Sequence, residues 1–146
     1  MVRHWESLVS GLLGLGLAVN GLAMLGAPFA WYEAVPGVVK TGPFNSHFVR
    51  DVGAAYLVSG AALLVFARRP RAWPALWAAA GFLILHGGVH LFDTLCGRST
   101  LADLAGDLPG VFGPALVAAS STASNAPGRT TPAICVACWR PIPSAS

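Results

Sequence analysis

At 146 residues the chain has room for one domain. Its side chains are 55% hydrophobic and only 10% charged, against about 25% charged in an ordinary soluble domain, which excludes a conventional fold with a solvated polar surface. The net charge of +3 is gathered in one arginine cluster instead of a basic face, which argues against nucleic acid as a partner, and three cysteines are too few for a disulfide scaffold.

The first apolar segment covers residues 7–31. It exceeds the roughly 20 residues a helix needs to cross about 30 Å of hydrocarbon. Arg3 precedes it, as in a secretory signal, but the run is far longer than the 7–15-residue core of such a signal, so it reads as a retained membrane helix. Ser10, Gly14 and Ala18 recur every four residues, a small-residue stripe that admits a close neighbour. Trp31 and Tyr32 fall where an interfacial aromatic belt would lie. Residues 33–45 hold Pro36, Gly37, Gly42 and Pro43 and are expected to form a loop.

A second span is expected over residues 46–67, capped by Asn45 or Ser46, with Ala55 and Ser59 as its own small-residue pair. It ends at Arg68-Arg69-Pro70, and Arg71 comes next. Under the positive-inside rule this turn and Arg3 lie in the cytoplasm. The third span covers residues 72–95, opening with Trp73, Pro74 and Trp77. The fourth is expected over 101–119, with Asp107 as a potential cap and Gly113-Pro114 interrupting it; a re-entrant segment is the alternative. Residues 120–146, rich in Ser, Thr, Pro and Ala, are expected to be an irregular tail.

Spans two and three run antiparallel, so the start of one and the end of the other share a depth. Six polar residues collect there: His47, Arg50 and Asp51 at i, i+3 and i+4, and His86, His90 and Asp93 at i, i+4 and i+7. Ionisable groups in such segments nearly always face the bundle interior or a water-filled cavity. These six are therefore the candidate cofactor-binding residues, with Tyr56 one or two turns deeper.

Four chemistries fit that pattern. The His86-x-x-x-His90 spacing suits a metal ion, with His47, Asp51 or Asp93 to complete the set. His47 and one third-span histidine on opposing helices could ligate a haem. A histidine beside a carboxylate could serve a quinone or relay protons. In the plainest case Arg50 pairs with Asp51 or Asp93, and the histidines only bridge helices. The pair Gly87-Gly88 between the histidines points to a close neighbour, either a helix or a flat ligand. Cys135-Val-Ala-Cys138 is half of a zinc site with no visible second half.

A glycine-rich first span, the segment Pro43-Phe44-Asn45-Ser46-His47-Phe48-Val49-Arg50-Asp51, an arginine-rich turn and two further spans together resemble the DoxX-like group of small four-helix bacterial membrane proteins. The resemblance covers residues 7–119, rests on topology, and implies a bundle in the bacterial cytoplasmic membrane with redox or accessory roles. The expected architecture is all-α, an integral membrane antiparallel four-helix bundle over residues 1–119. The leading functional expectation is a non-catalytic accessory or assembly subunit that docks against other membrane subunits or a second copy. The alternative is a redox-linked protein binding a metal ion, haem or quinone at the six-residue cluster; a transporter ranks third.

Overall fold

The structure, a computed structural model, describes residues 4–125; Arg3 and the Cys135/Cys138 pair lie outside the described residues. It is helical throughout, with no strand among them. Helix α1 spans His4–Gly26, α2 Pro28–Ala34, α3 Ser46–Arg68, α4 Trp73–Leu95, α5 Leu101–Gly106 and α6 Gly113–Ser124. A 3-10 turn covers Val38–Thr41 and a π-helical turn covers Leu108–Phe112.

Helices α1, α3 and α4 are each 23 residues and are long and apolar enough to cross a membrane. The distribution of residues on α1 argues the same way. Its outward ridge is Leu8, Leu12, Leu15, Val19 and Leu22, all more than half exposed, whereas its inward ridge is Glu6, Ser10, Gly14, Leu17, Gly21 and Met24. Large apolar groups outside and small ones inside invert the soluble-helix pattern and match helix packing in lipid, where close approach replaces hydrophobic exclusion from water.

That inward ridge makes the tightest contact in the molecule. Glycines spaced by seven on each helix meet in antiparallel register, Gly14 against Gly60 and Gly21 against Gly53. A Cβ on Gly14 would sit 2.8 Å from the Gly60 carbonyl oxygen, and one on Gly60 would sit 2.6 Å from the Gly14 oxygen. The backbones therefore touch. The small-residue stripe expected on α1 is the one used, with Ser10 and Gly14 buried and the Ala18 backbone against Gly60; on α3 Ser59 is buried, but the contact runs through Gly53 and Gly60. Helix α4 also packs on α3, α6 packs on α4, and α6 returns to touch α1.

Three expected boundaries are corrected. The first span does not run unbroken to Trp31: α1 stops at Gly26, because Pro28 has no amide hydrogen to bond back and its ring clashes with a helix continuing behind it. Proline is tolerated at the start of a helix, so α2 begins there. Helix α2 folds back on α1, and Trp31 Nε1 donates to Asn20 Oδ1 at 2.8 Å. On a straight helix these residues would lie roughly 16 Å apart.

The fourth segment is likewise three pieces, not one helix over 101–119. Thr100 and Asp103 form a reciprocal cap that starts α5. Pro109, Gly110 and Gly113-Pro114 then divide the remainder of the segment. Helix α6 has 12 residues, roughly 18 Å long, and is too short to cross a bilayer by itself. Finally, the tail begins later than residue 120, since α6 continues to Ser124. Its end is tied to the start of α1: Asn125 Nδ2 donates to Oε2 of the buried Glu6 at 3.2 Å.

The remaining caps obey local sequence rules. Asn45 caps α3, its Oδ1 accepting from the amides of His47 and Phe48 at 3.0 and 3.1 Å. The turn from Arg69 to Ala72 is closed by the Ala72 amide donating to the Arg69 carbonyl at 2.8 Å. The molecule thus has an arginine end, where α3 passes into α4, and a histidine end, where α3 begins and α4 finishes.

Candidate functional site

The face of α4 that meets α3 and the π-helical turn carries Phe82, His86 and His90 at intervals of four residues, so their rings lie in a column along the helix. Phe82 and His86 stack at 5.7 Å between ring centres with 20° between planes. His86 and His90 meet edge to face at 4.9 Å. From α3, the buried Tyr56 sets its ring edgewise against both Phe82, at 5.3 Å, and His86, at 5.5 Å.

The column ends in a short charged hydrogen bond. His90 Nδ1 lies 2.7 Å from Asp107 Oδ2, with side-chain exposures of 27% and 31%. An ionised carboxylate only accepts, so with Asp107 ionised Nδ1 carries the hydrogen, and a neutral His90 ring then has its lone pair on Nε2, facing away from Asp107. Backbone geometry holds the pair in place. Asp107 closes α5, and its carbonyl accepts from both the Val111 amide at 2.8 Å and the Phe112 amide at 3.3 Å. The Phe112 ring then lies against α4 where Gly87 has no side chain, and a Cβ there would be in van der Waals contact with it at 3.6 Å. Gly87 admits the neighbour expected from sequence; Gly88 is open, with nothing within 4 Å of such a Cβ.

Of the six residues expected to converge, the structure joins His86 and His90. The other four sit elsewhere. His47 Nε2 pairs with Asp51 Oδ2 at 3.3 Å on the surface, their side chains 87% and 65% exposed. The three α3 residues do share a face, but it points outward: the inward face of α3 is Val49, Gly53, Tyr56 and Gly60. Arg50 Nε donates to the Leu25 carbonyl in the last turn of α1 at 3.3 Å, a favourable place for a cation. Asp93 pairs with Arg98 at 3.1 Å, and the Arg98 guanidinium lies 5.9 Å from the Phe92 ring centre.

These placements correct two ligand sets. Among the described residues no three His, Cys, Asp or Glu side chains come together to hold a metal ion, so His47, His86 and His90 do not form a metal site. Nor does His47 oppose a histidine of α4 across a haem, since it is engaged with Asp51 outside the helix pair.

Asp107 does stand at a cap position, ending α5 and preceding the π-helical turn, but its side chain caps neither and turns to His90 instead. Its position just past the third span put it at the histidine end, but periodicity gave no reason to aim it at His90. The irregular turn does that. Beyond this column a second link joins the loops at the same end: Lys40 Nζ bonds Asp103 Oδ1 at 2.8 Å. That hydrogen bond holds the Asp103 carboxyl well below the usual carboxylate range, helped by the Thr100 hydroxyl and amide. Asp103 in turn raises the Lys40 ammonium, through their hydrogen bond and then their charges.

Compared with known proteins, the chain matches no family, no curated protein and no solved structure.

Proposed function

We propose that this chain is a redox-linked membrane protein whose outer half binds a quinone-class head group at His90 and moves a proton between that ligand and the surface through Asp107. The proposal includes an antiparallel four-helix bundle in a cytoplasmic membrane, with the arginine turn and the N-terminus on the cytoplasmic side. The observation that carries it is the unbroken run Asp107, His90, His86, Tyr56: a carboxylate, two imidazoles and a phenol in successive contact, from the loop surface to a buried position.

Each part has a role in that chemistry. The Nε2 of His90 is the free hydrogen-bonding atom, and with Asp107 on its other nitrogen it can take a proton without leaving an unpaired charge. A bound quinol oxidised by a redox centre of a partner protein would give up two electrons to that centre and two protons. One proton would go to His90 Nε2, where Asp107 would stabilise the imidazolium until the proton passes to water, and the other from the second quinol oxygen directly to water at the membrane surface. The partly exposed Phe82 and His86 offer flat surfaces for a ring, and the buried Tyr56 backs them from α3. The exposure of His90 opens the site sideways, so the ligand would enter from the bilayer.

The test is titration of the protein in lipid nanodiscs with a short-chain ubiquinone. About one equivalent should bind, and both His90→Leu and Asp107→Leu should weaken binding about ten-fold, the loss of one good hydrogen bond. His47→Leu serves as a control and should leave binding unchanged. Equal affinity in all four proteins would overturn the reading, and a Soret band in the untreated protein would replace quinone with haem.

One observation favours the accessory-subunit reading as a companion. Gly81 and Gly88 on α4 face open space and repeat the seven-residue spacing by which α1 and α3 meet, a surface suited to a transmembrane helix of a larger complex. Co-purification with that complex in mild detergent, lost in Gly88→Leu, is the expected result; a partner-free monomer from its own membrane would refute it.

A further inference from the structure

We propose that the turn joining α3 to α4 is a binding site for one anionic phospholipid, the phosphate held by Arg68, Arg69 and Arg71 and an acyl chain lying along α3. Three guanidinium groups stand within four residues of one another, all exposed. Among the described residues none has a carboxylate partner: Arg68 donates only to the Leu64 carbonyl of its own helix, at 3.4 Å. The ion pairs among the described residues lie towards the histidine end. Glu6, at the arginine end, is buried and accepts from Asn125. This end therefore carries uncompensated positive charge in a fork geometry suited to phosphate oxygens.

Two further features make the site specific to a lipid. A shallow, open groove between the side chains of Ala61, Leu64, Val65, Arg68 and Arg69 runs along α3, apolar at its foot and basic at its mouth, which matches the polarity of a phospholipid. Its length from Ala61 to Arg69 is roughly 12 Å, the span of several methylenes, and Ala61 gives it depth. A second depression of about 490 Å³ is walled by Arg68, Arg69, Pro70 and Arg71. Helix α4 begins there with no side-chain cap on Ala72, adding the positive end of a 23-residue helix. Trp73 and Trp77 stand exposed beside it, at the level where indoles meet the ester region of a bilayer.

The experiment extracts the full chain from vesicles of equal phosphatidylglycerol and phosphatidylcholine and counts, by native mass spectrometry, the lipid retained. One phosphatidylglycerol should be kept about ten-fold or more in preference to phosphatidylcholine. Arg69→Gln should lower that preference about five-fold, the effect of one cation at an anionic surface. Ala61→Phe keeps every charge, fills the groove and should reduce retention several-fold, so the proposal stays testable if the arginine variant inserts poorly. Equal retention of the two lipids, an Ala61→Phe protein that holds phosphatidylglycerol as well as the parent, or displacement of the lipid by millimolar inorganic phosphate would each overturn it.

Discussion

Gly21 and Gly53 face each other across α1 and α3 so closely that a Cβ on Gly21 would sit 2.6 Å from the Gly53 carbonyl oxygen. No side chain fits there without parting the helices, and the contact lies one turn from Tyr56, which presents the site from α3. The geometry of the candidate site therefore depends on a pair of glycines that touch no ligand.

Gly21→Leu and Gly53→Leu should each destabilise the protein by at least about 2 kcal/mol, since the over-packed residue meets backbone and not a yielding side chain. Gly16→Leu, at an open position on the same helix, should change stability by no more than about 0.5 kcal/mol. Unfolding in mixed detergent micelles measures both; equal effects would show that the helix contact is looser than the structure has it.

The His90–Asp107 bond predicts a single tautomer. In its neutral form the His90 ring should carry its hydrogen on Nδ1, with Nε2 bare, and nitrogen-15 NMR reports this directly. Asp107→Leu should release the ring to a mixture and cost about 1 kcal/mol, the lower end for a partner removed from a partly exposed group. An unchanged nitrogen spectrum in that variant would break the link.

Lys40 and Asp103 clip the loop before α3 to the start of α5 within a defined pH window. The Asp103 carboxyl is lowered from 3.8, so its contribution is present above that value and fades as acid protonates it. The Lys40 ammonium is raised from 10.5, so its contribution is present below that value and is lost in stronger alkali. Protection of the amides over residues 37–42 and 100–106, taken relative to intrinsic exchange at each pH, should thus be highest between these limits, and Asp103→Asn should lower it there and leave it with little pH dependence. With side chains 73% and 28% exposed, the pair is screened by salt, and added salt should speed exchange in the parent alone.

Topology can be read from one thiol. Cys96 is exposed at the histidine end, so a maleimide that cannot cross membranes should label it in intact cells. Labelling only after the cells are opened would reverse the proposed orientation.

The long helices were legible because hydrocarbon length and apolar runs impose the same count of residues on any sequence that would span a bilayer. Asn45 as a cap and the arginine turn were legible for equally local reasons. The break at Pro28 was also local, yet the apolar run around it masked a proline that cannot continue a helix. Which way a polar face turns was not legible: His47, Arg50 and Asp51 share one side of α3, but only the glycine contact with α1 orients α3 and sends that side outward.

By itself, then, the sequence determined where the apolar helices lie, that charge gathers at their ends, and that His86 and His90 share a face, because spacing along a helix dictates each. The tertiary structure decided the partners: Asp107 for His90, Tyr56 for His86, and Asp51 for His47. Those pairings arise from how the π-helical turn aims its residues and how closely glycine lets two backbones approach, neither of which a repeat along the chain encodes.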